Sequence, residues 1–496
     1  MSSRTFLYFI WQCVVVVDAV RIEDIEYGLS YRDVLLVPQR TDVESRKHVN
    51  TETLAAKGVK LKIPLIAANM DTVTEAEMAI AMARKGGLGI IHRFMGIERQ
   101  AREIVKVKRA EAYIIENPYS ISSEDTVANA RTEMDRYGIS CLLVVDQKGK
   151  LLGIISERDV RFSTPDTSIS KVMTSRENLV VSGSDTTIQS ALDIFAKRKI
   201  DRLPLVDPEN NVKGLITAGD AARFVNSPLS AKDQKGRLLV GAAIGTKGDY
   251  LQRAEALINA EADVLVLDVA HGHSESVISA IKRFKAELGN IPIVAGNVAT
   301  KQGAEDLISA GADGIKVGIG PGAACTTRMV AGAGVPQLTA VIDCSEVAMR
   351  MGVPAIADGG IRSPGDVAKA LAAGASTVMI GELLAGTDES PGYFIVKDGI
   401  RYKAYRGMAS KGANISRKRI DKPELEKEDM EDIVPEGIES VVPYRGSVSD
   451  VTNQLVGGLK SGMSYSGASN LEEFRKKAKF VRLTALGSAE SYEKLR

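Results

Sequence analysis

Residues 316–328 read Lys-Val-Gly-Ile-Gly-Pro-Gly-Ala-Ala-Cys-Thr-Thr-Arg, so Cys325 sits just after a glycine-rich turn, between Lys316 and Arg328. Glycine has no Cβ, so its backbone N–H groups can approach an anion closely. A thiol attacks as the thiolate, and nearby cations favour that form. The segment therefore suits covalent catalysis beside a bound phosphate. The plain alternative is that a free cysteine serves as a small buried hydrophobe. Three more glycine-rich turns follow: Asp358-Gly-Gly-Ile, Ile380-Gly-Glu-Leu-Leu-Ala-Gly and Tyr405-Arg-Gly-Met408. Backbone N–H groups in such turns hold phosphate, and an Asp at a strand end can accept from two ribose hydroxyls. A phosphate site, a ribose-binding Asp358 and a nucleophilic Cys325 together imply covalent chemistry on a nucleotide base.

Strand ends must position these turns. Eight short apolar runs recur, each ending in or followed by Gly, Asn, Asp or His: Ile63–Asn69, Gly87–His92, Leu239–Ile244, Val264–Asp268, Ile291–Asn297, Gly314–Gly318, Pro354–Asp358 and Thr377–Gly381. Helix-period segments separate them, clearest at Ala254–Ala260, Ser276–Leu288, Gly303–Ala310 and Gly365–Ala373. Strands alternating with helices mean a parallel sheet. Eight units with polar groups at strand C-termini predict an α/β fold, a (β/α)8 TIM barrel with its site on the C-terminal face. An open doubly wound sheet is the alternative, but no GxGxxG follows the first strand.

Between the second and third runs the chain repeats itself. Thr126-Val-Ala-Asn-Ala matches Thr187-Ile-Gln-Ser-Ala, Leu143-Val-Val-Asp matches Pro204-Leu-Val-Asp, and Gly153-Ile-Ile-Ser-Glu-Arg-Asp matches Gly214-Leu-Ile-Thr-Ala-Gly-Asp. All three pairs share an offset of 61 residues (126 to 187, 143 to 204, 153 to 214), which marks a tandem repeat. Each copy reads helix–strand–strand–helix and resembles one half of a CBS-domain pair (cystathionine-β-synthase type). That resemblance implies a site for adenine or guanine nucleotides such as ATP or GTP, with Ser156, Asp159, Thr217 and Asp220 contacting ribose and phosphate. An inert module that aids assembly is the bland reading. The expected organisation is an extension at 1–20, a barrel from 21–110 and 230–496, and a repeat pair at 111–229, with copies at about 113–165 and 172–228.

Net charge is +1 over 496 residues, which supplies no attraction to nucleic acid or an acidic membrane. Cys13, Cys141, Cys325 and Cys344 are scattered, without a CxxC, which suits a reducing, cytoplasmic setting. His271-Gly-His273 offers two metal ligands but no placed third. Phe6 to Val17 is apolar except for Gln12 and too short to span a bilayer. With Arg4 before it, it resembles a signal core, but no small-x-small site follows, and it reads as a non-globular extension or an upstream start. Residues 411–439 are charged and poor in apolar side chains, the composition of a mobile flap over an active site.

Taken together, Gly318-Ile-Gly-Pro-Gly-x-x-Cys325-Thr-Thr, Ala355-Ile-Ala-Asp-Gly-Gly, Tyr405-Arg-Gly-Met and Val434-Pro-Glu-Gly resemble the IMP dehydrogenase/GMP reductase family over roughly residues 20–496. The resemblance implies that Cys325 adds to purine C2, with Thr327 and Glu436 relaying a proton. It implies that Asn69, Gly322, Asp358, Gly360, Gly381, Tyr405, Gly407, Met408 and Ala409 hold GMP or IMP. Asp268, Asn297 and Gly318 would hold the nicotinamide cofactor, and carbonyls of Gly318, Gly320 and Cys325 a K⁺ ion. A homotetramer or octamer is implied as well. Ala323 and Glu382 depart from the family pattern. A carboxylate at 382 would repel phosphate, so its side chain is expected to point elsewhere.

Within the family, a dehydrogenase activates water mainly with an Arg-Tyr pair in the flap, and none occurs between Met408 and Glu436. Ala67-Ala-Asn-Met-Asp71-Thr-Val and Asp268-Val-Ala resemble the reductase form. Val73-Thr-Glu, His271-Gly-His-Ser and the CBS-like repeats resemble the dehydrogenase form. The missing pair bears on chemistry, whereas the repeats are an attachment, so the resemblance leans to an NADPH-dependent GMP reductase. The alternative is an NAD-dependent IMP dehydrogenase using Arg417 or Arg419. Arg401-Tyr402 reads as scaffold.

Overall fold

The structure is a computed structural model that describes residues 25–111, 113–226, 229–289, 291–421 and 434–492. The apolar run Phe6–Val17, the extension 1–20 that contains it, and flap residues 422–433 lie outside the described residues.

Eight strands close a barrel in chain order: β1 (Leu65–Ala67), β2 (Leu88–Ile91), β3 (Gly241–Ile244), β4 (Val264–Asp268), β5 (Ile293–Val298), β6 (Gly314–Val317), β7 (Ala355–Asp358) and β8 (Thr377–Ile380). Each coincides with one of the eight runs read from sequence, and all pairings are parallel. Period-2 alternation divides each strand between two cores. In β4, Val264 and Val266 fill the barrel interior, while Leu265 and Leu267 pack outward under the helices. The hairpin Thr53–Ala56/Val59–Leu61 plugs the N-terminal end, since Ala55, Ala56, Val59 and Leu61 share the interior core.

The expected helices form at Tyr250–Asn259, Glu275–Leu288, Lys301–Ser309 and Pro364–Ala372. Local signals begin them: Thr300 and Ser363 cap with their hydroxyls, and Pro364 occupies the first turn.

β2 pairs directly with β3 although about 150 residues separate them, so the intervening repeats leave the barrel unbroken. The first repeat has helix Val127–Tyr137, strands Cys141–Val145 and Leu151–Ser156, and helix Glu157–Arg161. The second has Ile188–Arg198, Arg202–Val206, Val212–Thr217 and Ala218–Asn226. Thr126 and Thr187 cap corresponding helices, which explains one of the matched positions.

After β8, strands Phe394–Lys397, Ile400–Arg406 and Glu439–Pro443 form an antiparallel sheet. Arg401 and Tyr402 lie within its middle strand, as expected of scaffold. The described start of the stretch read as a flap follows it. Residues Lys411–Asp421 form a helix, and Ala413 in its first turn is buried. Among the described residues no helix is long and apolar enough to cross a membrane.

Candidate active site

Cys325 lies in the loop after β6, and three backbone segments fix it. Its own N–H donates to Gly322 O at 3.0 Å. On one side, Thr326 N donates to Glu436 O at 2.9 Å and Ile438 N to Ala324 O at 3.0 Å. On the other, Glu436 N donates to Ala409 O at 3.1 Å and Gly407 N to Ile438 O at 2.9 Å. The antiparallel sheet makes this possible, because it returns residues 436–438 beside residues 407–409. Gly407 is required there: a Cβ would stand 2.6 Å from Ala324 O. Cys325, Thr327, Glu436, Gly407, Met408 and Ala409 are thus gathered at one place. Thr327 Oγ1 is 3.2 Å from Cys325 Sγ, within reach for proton exchange with a group bound at the sulfur. Glu436 enters this cluster through its backbone.

The two cations beside the thiol in sequence are engaged elsewhere, which corrects the expected activation. Arg328 donates to the carbonyls of Val335 at 2.6 Å and Ile319 at 3.3 Å. Lys316 is 2% exposed and points into the barrel. Its ammonium donates to Asp268 Oδ1 and Asp358 Oδ2, each at 2.8 Å, and to Asn297 Oδ1. Asn297 in turn donates to Asp358 Oδ2 at 3.0 Å and Gly318 O at 2.7 Å. Burial pulls the lysine towards neutrality, but Asp268 and Asp358 more than offset it and hold Lys316 charged, above the ordinary lysine range. Burial likewise raises Asp268, but Lys316, Arg93 and a hydrogen bond with Asn69 leave it below the usual carboxylate value. Asn69, expected on the purine side, is therefore a partner of Asp268.

Lys316 was not among the expected site residues. Its signal was present: a lone charge inside an otherwise apolar parallel strand, which can be buried only if paired. Gln337 was missed for the opposite reason, being an unremarkable polar residue at the start of a helix. Its amide donates to Val317 O at 2.9 Å and Asp358 O at 3.1 Å, tying β6 to β7.

The phosphate turns converge as well. A Cβ on Gly359, whose φ is +92°, would meet Pro321 at 2.9 Å and Gly322 N at 3.1 Å, so the turn holding Gly360 packs on the Cys325 loop. Gly381 faces the Tyr405 hydroxyl, and a Cβ there would lie 3.2 Å from it. Burial raises the Tyr405 phenol above its ordinary range, with the Glu382 charge next in effect. The loop after β1 docks on the same region. Arg406 forms a forked ion pair with Asp71, and Asp71 N lies 3.4 Å from Met408 Sδ.

Ser156/Asp159 and Thr217/Asp220 lie in the inserted repeats. In both pairs the Ser or Thr hydroxyl donates to the Asp, at 2.7 Å for Ser156 and 2.5 Å for Thr217. Asp159 also accepts Ser156 N and Asp220 N donates to Thr217 Oγ1, so each pair caps its own helix. Thr217 and Asp220 additionally line a cavity. His273 pairs with Asp306 at 2.8 Å. No cluster of three or more His, Cys, Asp or Glu suited to a metal exists among the described residues.

Comparison with known proteins places this geometry. A family model described as IMP dehydrogenase / GMP reductase domain matches residues 28–493. An inosine-5′-monophosphate dehydrogenase from Nitrosopumilus maritimus is 49% identical over 94% of this chain and 97% of its own length. A GMP reductase from Leishmania donovani is 47% identical over 94% and 96%. A solved GMP reductase from Trypanosoma brucei, in complex with guanosine 5′-monophosphate, superposes with a TM-score of 0.89 at 46% identity, covering 95% of this chain and 98% of that one.

Proposed function

The chain belongs to the IMP dehydrogenase and GMP reductase family of oxidoreductases, and from that premise we propose that it reduces GMP to IMP and ammonia with NADPH. The observation that carries the choice is the flap: the segment between Met408 and Glu436 holds no Arg-Tyr pair to activate water. Overall identity does not separate the two activities, since relatives of both kinds match almost equally.

In this reading the Cys325 thiolate bonds to purine C2 while the 2-amino group, protonated through Thr327 with Glu436, leaves as ammonia. NADPH, when bound, supplies a hydride to the same carbon. Expulsion of the Cys325 sulfur then frees IMP. GMP, NADPH and two protons become IMP, NADP⁺ and ammonium. Asp358 accepts from the substrate ribose, and the turns at Gly322, Gly360 and Gly381, with Tyr405, hold the phosphate. Met408 and Ala409 contact the base. Asp268, Asn297 and Gly318 hold the cofactor. The donor set fits, because Lys316 pairs with both Asp268 and Asp358, whose side chains are about one-fifth exposed and can accept further hydroxyl groups. Carbonyls of Gly318, Gly320 and Cys325 would hold K⁺. The repeats at 111–229 act as a CBS pair that senses ATP or GTP, in a cytoplasmic homotetramer or octamer.

One observation favours an IMP dehydrogenase that makes XMP with NAD⁺. The charge of Arg417, on the flap helix, reaches Arg93, whose Nη2 lies 3.5 Å from Asp268 O. The flap thus brings a guanidinium to the cofactor side, where water would need activation. Absorbance of the reduced nicotinamide separates the readings. Consumption of NADPH by GMP with ammonia release, and no NADH from IMP plus NAD⁺, is the expected result. NADH formed from IMP would overturn it.

A further inference from the structure

Lys403 stands in the middle strand of the sheet after β8 and is 2% exposed. A lysine is almost never buried so deeply unless its ammonium is held. Here three main-chain carbonyls hold it. Nζ donates to Ser390 O at 2.7 Å, Thr387 O at 2.8 Å and Asp388 O at 3.3 Å. The Phe394 ring, on the neighbouring strand, is centred 4.8 Å from Nζ. Burial pulls the amine below the ordinary lysine range, and Asp388 and Glu389 oppose it. The three acceptors also favour the charged form, since the protonated amine has three N–H groups to give and the neutral amine two. The nearby carboxylates are occupied: Asp388 Oδ1 accepts from the Tyr444 hydroxyl at 2.8 Å, and Glu389 Oε2 from Val448 N at 2.9 Å. The ammonium thus sits among carbonyl oxygens as a dehydrated monovalent cation does in a carbonyl site.

The cage is braced from within. Ser390 Oγ donates to Ala385 O at 2.7 Å and to Thr387 O at 3.1 Å, and Thr387 Oγ1 donates to Leu384 O at 2.8 Å. These bonds tie loop 386–390 to the short helix Glu382–Ala385, which begins directly after Gly381. Lys403 lies two residues before Tyr405, so alternation puts both on one face of the strand, and both are buried. The ammonium therefore clamps the Gly381 side of the mouth to the strand that carries Tyr405. Gly381 and the Tyr405 hydroxyl meet beside that clamp, close enough that a Cβ on the glycine would lie 3.2 Å from the oxygen.

We propose that Lys403 is a positioning residue for the substrate's 5′-phosphate, a built-in monovalent cation whose carbonyl cage sets the spacing between Gly381 and the Tyr405 hydroxyl. The assignment rests on the reading that Gly381 and Tyr405 hold that phosphate, and adds what fixes their distance. It applies to either substrate, since GMP and IMP carry the same phosphate. No step of the hydride chemistry passes through Lys403, so its loss acts on nucleotide binding and spares the cofactor.

The test is steady-state kinetics of the full chain at constant K⁺ and ionic strength, varying the nucleotide and the cofactor in turn. Lys403→Ala should raise KM for the nucleotide tenfold or more and leave KM for the cofactor within twofold. Propylammonium supplies the atoms that this variant lacks, so adding it should recover threefold or more of the loss. Tetramethylammonium at the same concentration has no N–H to donate and should recover nothing. Ser390→Ala keeps the lysine and removes only the hydroxyl that braces the cage. It reads the same effect where Lys403→Ala does not fold, and should raise KM for the nucleotide threefold or more. An unchanged nucleotide KM in the folded variants, an equal rise in both KM values, or equal rescue by the two added cations would overturn the assignment. Tyr405→Phe tests the premise separately. An unchanged nucleotide KM in that variant would remove the phosphate reading, and the role of Lys403 with it, whatever the lysine variants show.

Discussion

The two ends of the barrel are held together by different physics. At the mouth, the Cys325 loop, the Gly407 turn and residues 436–438 are joined by backbone hydrogen bonds and by contacts too close for a side chain. At the opposite, N-terminal end, in the seam where the helix ending at Ala110, the segment 233–237 and the turn 261–263 meet, the contacts are charges: Lys108 with Asp263 and Asp233, and Arg237 with Asp233 and Glu261. Backbone contacts hold one geometry regardless of pH and salt. Charge contacts respond to protons, to ionic strength and to competing anions. The mouth is built to keep one arrangement, and the seam to be adjusted.

The strongest way to break that contrast is at the mouth. Cys325→Ala should abolish turnover, by on the order of 10⁴-fold or more, because no bond to purine C2 can form. Cys344→Ala is the matched control. Burial, then Asp343, pushes the Cys344 thiol up to about 12, and its sulfur lies 3.4 Å from Thr300 O. Turnover by that variant should stay within a few-fold of the parent. Equal losses in steady-state assays would mean that packing, not nucleophilicity, governs both cysteines.

A subtler disturbance is Gly407→Ala. Its Cβ would meet Ala324 O at 2.6 Å, so the Cys325 loop must shift. Displacement near 1 Å costs about 10²-fold in rate. The expected outcome is a fall in kcat of that size at nearly unchanged melting temperature. A large loss of stability instead would show that the contact holds the fold rather than aims the sulfur.

The same contrast decides what could be read from the sequence. All eight strands were legible because a parallel barrel strand is a short apolar run with a polar end. The mouth was legible because close backbone packing demands glycine, and Gly318, Gly359 and Gly407 mark it. Side-chain partnerships across the chain were not. Lys316 stands next to the Cys325 loop in sequence yet serves Asp268 and Asp358, since alternation along β6 points it inward. The Ser156/Asp159 and Thr217/Asp220 spacings fit helix capping as well as ligand binding, and both pairs do cap. The seam was invisible, because Lys108, Asp233 and Asp263 come from three separated stretches of ordinary charged sequence.

The gentlest probe acts on the seam. Burial pushes Asp263 up to about 6, against the attraction of Lys108 and a hydrogen bond from Val240 N at 2.7 Å. Asp233 shares the Lys108 ammonium at 3.0 Å and opposes ionisation of Asp263. The folded chain therefore binds this proton more tightly than the unfolded chain, whose carboxyl titrates near 4. Between about pH 4 and 6 the folded state holds the extra proton, so the Asp263 contribution to stability falls as pH rises through that window and is flat above it. Asp233 runs the other way, since Lys108 and Arg237 overcome its burial and lower it. The net profile mixes the two, and a difference measurement isolates one. Asp263→Asn can still accept from Val240 N and cannot titrate. The melting temperature of the parent minus that of Asp263→Asn should decline from pH 4.5 to 6.5 and level off beyond. Curves that run parallel across that range would mean Asp263 is ionised throughout and the seam does not respond to protons there.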